Sequence, residues 1–119
     1  KNLMQNLCIA YQDILKKHKL YATSTTGQMI EDVANLKIHK LLAGHFGGMQ
    51  QMGSKISNNE IDLLIFLQDP SNKKRTPDFY NVLNLCDQYN IPCATNLPTA
   101  EVLILALDRG DLDWRNMYK

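Results

Sequence analysis

The sequence predicts an α/β fold in which helices cover both faces of a parallel sheet, a three-layer sandwich. Short apolar runs of strand length alternate along the 119 residues with stretches whose apolar side chains recur every three or four positions. Such alternation is typical of parallel βαβ units with right-handed crossovers. The run Leu63–Leu67 is apolar at every position, as expected for a strand that helices bury on both faces.

The composition is that of one ordinary globular domain, which we expect to comprise residues 1–119. Hydrophobic residues make up 45% and charged residues 21%, which excludes a disordered chain. The net charge is +1, so no charge excess points to nucleic acid or to an anionic membrane as partner. No apolar stretch approaches the roughly 20 residues that cross a bilayer, and we expect a cytoplasmic protein.

The three cysteines are odd in number, widely spaced and without a C-x-x-C pair. This argues against a disulfide framework or a structural zinc site. We expect Cys8, Cys86 and Cys93 to be small buried hydrophobic side chains.

The N-terminal part of the chain predicts a helix, a strand and a second helix. Apolar side chains at helical spacing predict the first helix over residues 2–18. The run Leu20–Ala22 predicts a strand, and the polar residues Thr23–Gly27 predict a turn after it. Helical spacing resumes between Met29 and Ala34.

The middle of the chain repeats this order. Residues Leu36–Ala43 predict a short strand, Gly44–Gly48 predict a loop with backbone freedom, and Met49–Asn58 predict a weak helix. The buried strand Leu63–Leu67 follows, and after it comes a polar loop with two prolines over residues 68–77.

The C-terminal part predicts helix, strand and helix. Asp78 is expected to open a helix that buries Phe79, Val82, Leu83 and Cys86. Residues Ile91–Thr95 predict a strand at the sheet edge, because Pro92 has no N–H for a ladder. Thr99 is expected to cap the last helix, and Gly110 to end it.

Polar turns follow several of the predicted strands at their carboxyl ends, where open parallel sheets bind ligands. Residues 23–26 place four hydroxyl groups at the N terminus of a helix, which suits a phosphate. The turn by itself leaves open a plain helix cap. The glycines of residues 44–48 offer a second place where backbone can approach a ligand closely.

Four motifs in order resemble those of the methylglyoxal synthases. They are Tyr-Ala-Thr-Ser-Thr-Thr-Gly at residues 21–27, Gly-x-x-Gly-Gly-x-Gln-Gln-x-Gly at 44–53, Ile-Phe-x-x-Asp-Pro at 65–70 and Pro-x-Ala-Thr-Asn at 92–96. The resemblance covers nearly the whole chain and implies a doubly wound, flavodoxin-like or Rossmann-like sheet.

The resemblance implies a cytoplasmic carbon–oxygen lyase that forms homohexamers and uses neither a metal nor an organic cofactor. Its substrate would be dihydroxyacetone phosphate and its products methylglyoxal and inorganic phosphate. A carboxylate removes a proton beside the carbonyl, hydrogen-bond donors stabilise the enediolate, and phosphate is then eliminated.

The resemblance also assigns site residues. It places the phosphate on Lys1, Thr23, Thr25, Thr26 and Gly44. Lysine supplies a compact positive charge, although spacing alone would leave Lys1 as a frayed terminal side chain. The acidic positions that this sequence retains are Asp69 and Asp78.

The departures from the family pattern fall on the reaction centre. Met49 stands where the family has its catalytic aspartate, and methionine cannot accept a proton. The family's histidine before a Pro-Asp pair is absent from Arg-Thr-Pro-Asp at residues 75–78. Loss of a general base costs roughly 10²–10⁴-fold in rate. Two hypotheses follow: an impaired synthase, or a non-catalytic phosphate-binding domain with a regulatory or assembly role.

Three further points stay open in the sequence. His45 is either a titratable group of the site or a plain loop histidine, and Arg115 is either lent to a neighbouring subunit or a surface side chain. Family members begin with a central strand that ends in His-Asp just before the lysine matching Lys1. That strand precedes the residues given, so we expect a natural chain of roughly 130 residues or more.

Overall fold

The structure is a computed structural model that describes residues 2–68 and 77–118. These residues form two compact units, which divide between Gln51 and Met52. Each unit contains one pair of parallel strands together with helices, and the helix Gly48–Ser57 crosses the division. This mixture of helices and parallel strands confirms the α/β class.

The first unit is built around the parallel pair of β1 and β2. Its elements are α1 (Leu3–Ala10), α2 (Gln12–Leu15), β1 (Leu20–Thr23), α3 (Ser24–Glu31) and β2 (Ile38–Leu41). The register places Leu20 opposite Ile38 and Thr23 opposite Leu41. The carboxyl ends of the two strands therefore lie side by side.

The helix predicted over residues 2–18 is interrupted at Tyr11. Asn2 and Gln5 form a capping box that starts α1. Tyr11 has φ −111° and ψ 22°, outside the helical region, and its carbonyl accepts the N–H groups of Ile14 and Leu15 that begin α2. The apolar stripe continues across this break, so periodicity alone indicated one helix.

The helix α3 begins earlier than the apolar spacing of residues 29–34 predicts. Thr23 has extended backbone, and Ser24 is already the first residue of α3, so most of the predicted polar turn is helix. The helix lies directly on β2 at Gly27, where an added Cβ would be 3.0 Å from Lys40 Cγ and 3.1 Å from Ile38 Cγ2. A larger residue would push α3 away from the strand.

The glycine loop, residues Gly44–Gly48, is more regular than predicted. Gly44–Phe46 form a 3₁₀ turn, Gly47 is left-handed at φ 103°, and Gly48 is the first residue of α4 (Gly48–Ser57). A Cβ on Gly48 would lie 2.0 Å from the Leu42 carbonyl oxygen, so only glycine fits. The helix predicted over residues 49–58 is confirmed.

The second unit is built around the parallel pair of β3 and β4. Its elements after α4 are β3 (Leu64–Ile65), α5 (Pro77–Gln88), β4 (Cys93–Ala94), α6 (Leu97–Asp108) and a 3₁₀ segment (Asp113–Tyr118). Leu64 lies opposite Cys93 and Ile65 opposite Ala94. Backbone N–H groups of Leu64, Phe66 and Gln68 donate to Pro92, Ala94 and Thr95 at 2.8–3.1 Å, so pairing continues beyond the short strands.

Three details of the second unit differ from the sequence predictions. Leu64 is buried, but the other members of the run Leu63–Leu67 are half-buried in the described structure. Cys93 is half-buried as well, whereas Cys8 and Cys86 are buried as expected. The cap of α6 is Asn96 rather than Thr99, because Asn96 Oδ1 accepts Thr99 N at 3.1 Å and Thr99 Oγ1 at 2.8 Å.

The buried faces of the last two helices follow the predicted periodicity. Phe79, Val82 and Cys86 are buried on α5, and Ala100 and Ile104 are buried on α6. Leu83 is half-buried. None of the described helices is both long and apolar enough to cross a membrane.

Candidate active site

The threonine segment, residues Thr23–Gly27, and the glycine loop follow the two paired strands of the first unit. Thr23 is the last residue of β1 and lies opposite Leu41, the last residue of β2. Both polar segments therefore begin at the same end of this strand pair. Ligands of open parallel sheets bind at that end.

The threonine segment forms the start of α3 without a side-chain cap. The Thr23 side chain does not cap α3; its hydroxyl instead donates to Thr26 Oγ1 at 3.5 Å. Thr25 is exposed and Ser24 half-buried. The first turn of α3, all of it described, carries no acidic side chain. Its backbone N–H groups and hydroxyls are thus arranged to receive an anion.

An ion pair fixes this helix against β2. The Glu31 carboxylate accepts a hydrogen bond from Lys40 Nζ and another from the Ile38 N–H at 3.0 Å. The hydrogen bond from Lys40, followed by that from Ile38, lowers the pKa of Glu31. These bonds hold the C-terminal end of α3 against β2. The threonine segment lies at the other end of the same helix.

The glycine loop is held by its own backbone and by Gln51. The Ala43 carbonyl accepts the N–H groups of Phe46 at 2.9 Å and Gly48 at 3.0 Å. Gln51 Oε1 accepts the Leu42 N–H at 2.7 Å. These bonds define where the Gly44 backbone lies, which is what a phosphate-binding loop requires.

Met49 lies beside Gly44. It is the second residue of α4, and a Cβ on Gly44 would be 3.9 Å from Met49 Cγ, an ordinary van der Waals distance. The structure thus brings together two predicted positions, the phosphate-binding glycine and the residue in place of the base. A thioether there supplies packing but no group that takes up a proton at neutral pH.

The remaining predicted site residues lie in the second unit or outside the described residues. Asp78 is a half-buried residue in the first turn of α5, in the second unit. A carboxylate at that place also interacts favourably with the helix dipole. Lys1 and Asp69 lie outside the described residues. The His45 side chain does too.

Arg115 has a role that the sequence did not indicate. It is 2% exposed, so it is not a surface side chain. Its guanidinium donates to Asn59 Oδ1 at 2.6 Å, to Asp62 Oδ1 and the Ile61 carbonyl at 3.3 Å, to the Tyr89 carbonyl at 3.4 Å and to the Asn90 carbonyl.

These contacts join two equivalent turns. Asn59 follows α4 and Asn90 follows α5, and both have left-handed backbone, at φ 57° and 56°. Each turn leads into a strand, β3 or β4, and Arg115 binds both. Asparagine after a helical stretch is a recognised C-terminal signal, but nothing in the sequence marks one arginine as the group that connects two such turns.

The described residues contain no group of three or more His, Cys, Asp or Glu side chains that could hold a metal ion. Among its described residues, the candidate site of the first unit offers hydroxyls, backbone amides and a thioether.

Comparison with known proteins identifies the family. The family model of the MGS-like domain matches residues 4–95. Methylglyoxal synthase of Caldicellulosiruptor saccharolyticus is 53% identical over 118 residues, which are 98% of this chain and 84% of that protein. Methylglyoxal synthase of Clostridioides difficile is 51% identical over 120 residues, covering all of this chain and 88% of that protein.

A solved structure agrees with the sequence comparisons. The crystal structure of methylglyoxal synthase from Elizabethkingia anophelis aligns with a TM-score of 0.76 and 32% identity. The alignment covers 84% of this chain and 66% of the solved chain. It confirms the α/β fold that the alternation of strands and helices predicted. The chain belongs to the methylglyoxal synthase family.

Proposed function

We propose that this chain is a methylglyoxal synthase homologue that binds the phosphate group of dihydroxyacetone phosphate, or inorganic phosphate, and whose turnover is impaired by Met49. The single observation that carries the proposal is the position of Met49 beside Gly44: a Cβ on Gly44 would lie 3.9 Å from Met49 Cγ.

The threonine segment supports the phosphate part of the proposal. Thr23, Thr25 and Thr26 carry hydroxyls at the N terminus of α3. The first N–H groups of a helix have no partner within the helix. A phosphate there would gain charge-assisted hydrogen bonds and a favourable interaction with the helix dipole. Gly44 would add a backbone amide from the adjacent loop.

Methionine in place of the family's catalytic aspartate supports the proposal that turnover is impaired. The family reaction begins with removal of a proton next to the carbonyl, which needs a group whose pKa suits proton transfer. Met49 cannot do this. Asp69 and Asp78 are the carboxylates retained at family positions, and we propose that they contribute electrostatics or residual proton transfer to whatever turnover remains.

The proposed assembly is a homo-oligomer, a hexamer by family resemblance, in the cytoplasm. Two large apolar side chains around the glycine loop are exposed, Leu42 at 53% and Phe46 at 70%. A second copy of the chain would bury such side chains favourably. Light scattering should give a mass several times 13.6 kDa; monomer alone would contradict the assembly.

The alternative is a non-catalytic phosphate-binding domain with a regulatory or assembly role, and Met49 is again what favours it. Two measurements separate the candidates. Purified protein is given dihydroxyacetone phosphate, and the release of methylglyoxal and phosphate is followed. In parallel, the thermal midpoint is measured with and without inorganic phosphate. Slow turnover supports the impaired synthase; a phosphate-induced shift without turnover supports the alternative; absence of both contradicts the phosphate site.

A further inference from the structure

Gln51 contacts the chain on both sides of the glycine loop. Its side-chain Oε1 accepts the Leu42 N–H at 2.7 Å, and its backbone N–H donates to the Gly47 carbonyl at 3.0 Å. Leu42 is the first residue after β2, and Gly47 is the last residue before α4. The connection between the strand and the helix is therefore closed on one residue of α4.

The two bonds of Gln51 place different demands on its identity. The bond from its backbone N–H is the ordinary bond of a helix to the residue four positions earlier, and any residue except proline can form it. The bond from the Leu42 N–H needs an acceptor at the end of a side chain that reaches back over nine positions of the chain. Only this second bond depends on a glutamine at position 51.

The backbone of Leu42 is held through both of its polar groups. Its N–H donates to Gln51 Oε1, and its carbonyl oxygen lies so close to Gly48 that an added Cβ there would overlap it. Gly44, the first residue of the 3₁₀ turn, follows with only Ala43 between them. The direction of the Gly44 N–H therefore depends on how Leu42 is held.

We propose that Gln51 is a positioning residue of the phosphate site: its Oε1 holds the Leu42 N–H and so orients the Gly44 backbone amide that binds phosphate. This role rests on the proposed function, since it concerns the same phosphate and the same amide. Gln51 does not itself touch the ligand in this account.

Loss of the acceptor should weaken phosphate binding more than folding. Gln51 is exposed and Leu42 is 53% exposed, so water can take over the Leu42 N–H. Water satisfies this donor but does not tether it to α4, and the loop must then be ordered when the ligand binds. We expect the affinity for inorganic phosphate to fall by roughly 2- to 10-fold.

Two adjacent glutamines of α4 supply a matched comparison. Gln51→Leu removes the acceptor, whereas Gln50→Leu makes the same change at an exposed neighbouring position. Calorimetric titration with inorganic phosphate should show weaker binding in Gln51→Leu and native affinity in Gln50→Leu. Without phosphate, hydrogen exchange of the Leu42 N–H, followed by NMR, should be faster than in the native chain in Gln51→Leu only.

A further substitution tests the route through Gly44. Gly44→Pro removes the amide hydrogen, and Ala43, at φ −58° and ψ 148°, already has the backbone that a residue before proline prefers. Phosphate affinity should fall in Gly44→Pro, and Gln51→Leu should lower it no further in that background, because the amide that Gln51 orients is gone. If Gly44→Pro does not fold, Gln51→Glu, which keeps an acceptor, should bind phosphate as tightly as Gln50→Glu.

The possible failures are distinguishable. Equal phosphate affinity in the native chain and Gln51→Leu, or an equal loss in Gln50→Leu, would overturn the role of Gln51 and leave phosphate binding intact. So would an undiminished effect of Gln51→Leu beside Gly44→Pro, or weaker binding in Gln51→Glu than in Gln50→Glu. A native chain that binds no phosphate would refute the proposed function, and this role with it.

Discussion

Met49 packs against Gly44: a methyl group placed on Gly44 would lie 3.9 Å from Met49 Cγ. By resemblance to the family, we propose that the first of these residues replaces the proton acceptor and that the second belongs to the phosphate-binding loop. The loop is also held by the Ala43 carbonyl, which accepts from Phe46 and Gly48, and by the Leu42 N–H, which donates to the Gln51 side chain. The replacement is therefore expected to change chemistry more than folding.

Thr26 should contribute directly to phosphate affinity. Thr26→Val keeps the shape of the side chain and removes the hydroxyl that accepts from Thr23 Oγ1. Loss of a hydrogen bond to a charged group costs about 1.5–3 kcal/mol, so phosphate affinity should fall by roughly 10- to 100-fold in calorimetric titration.

The matched control for this substitution is Gln28→Ala on the same helix. Gln28 is exposed and its amide bonds to Asp32 Oδ1. Phosphate affinity should not change in this variant. An equal loss in both variants would show that a general effect on α3, and not the Thr26 hydroxyl, was measured.

Gly48→Ala should destabilise the chain strongly. The added methyl group would lie 2.0 Å from the Leu42 carbonyl oxygen, which is backbone and cannot move aside cheaply. Overpacking of this kind typically costs about 1–3 kcal/mol or more in free energy of unfolding. Gly44→Ala, where the nearest atom would be 3.9 Å away, is the control and should unfold near the native denaturant midpoint. Similar midpoints for both variants would contradict the structure of this loop.

Arg115→Met should also destabilise the second unit. The substitution removes the buried guanidinium that donates to the Ile61, Tyr89 and Asn90 carbonyls and to the Asp62 carboxylate. Removing one partner of a buried charged network costs about 3–5 kcal/mol. In Arg109→Met, an exposed pair with Asp111 is lost instead, and the expected cost is about 0–1 kcal/mol. Urea unfolding compares the two, and equal effects would refute the structural role of Arg115.

The Glu31–Lys40 contact should make stability depend on acid. The pKa of Glu31 is lower in the folded chain than its ordinary value of 4.5, so its contribution is fully present above pH 4.5 and disappears as the pH falls through the folded-state value. At neutral pH, Glu31→Gln should be less stable than the native chain. On acidification, the stability of this variant should fall by less than the stability of the native chain. Thermal midpoints from pH 7 to pH 3 test this.

The control for the pH series is Asp13→Asn. Asp13 forms an exposed surface pair with Lys16 and is 91% exposed. Its substitution should leave the acid-induced loss of stability the same as in the native chain. If Glu31→Gln showed the native pH profile too, the contact with Lys40 would not contribute to folding.

Periodicity and turn signals predicted the order of helices and strands because they report local burial. The faces of α5 and α6 follow directly from the spacing of Phe79, Val82, Cys86, Ala100 and Ile104. The break at Tyr11 was not predictable in this way, since the apolar stripe continues through it. Asn96 and Thr99 are both good capping residues, and only the backbone geometry decides between them.

The functional residues likewise include some that the sequence predicted and some that it did not. The threonine segment and Met49 were found from motifs that are contiguous in sequence, and the structure shows how β1 and β2 bring their carboxyl ends together. The contacts of Arg115 join residues that are distant from it in sequence. Such contacts leave no local pattern, so sequence reasoning could not assign them.

The rate of methylglyoxal formation from dihydroxyacetone phosphate by the native chain, Met49→Asp and Met49→Asn tests the central claim most directly. The aspartate restores a proton acceptor, whereas asparagine matches its size but cannot serve as a base. We predict that Met49→Asp is faster than the native chain by roughly 10²-fold or more and that Met49→Asn shows no gain. Equal rates in the native chain and Met49→Asp, whether high or absent, would contradict the account.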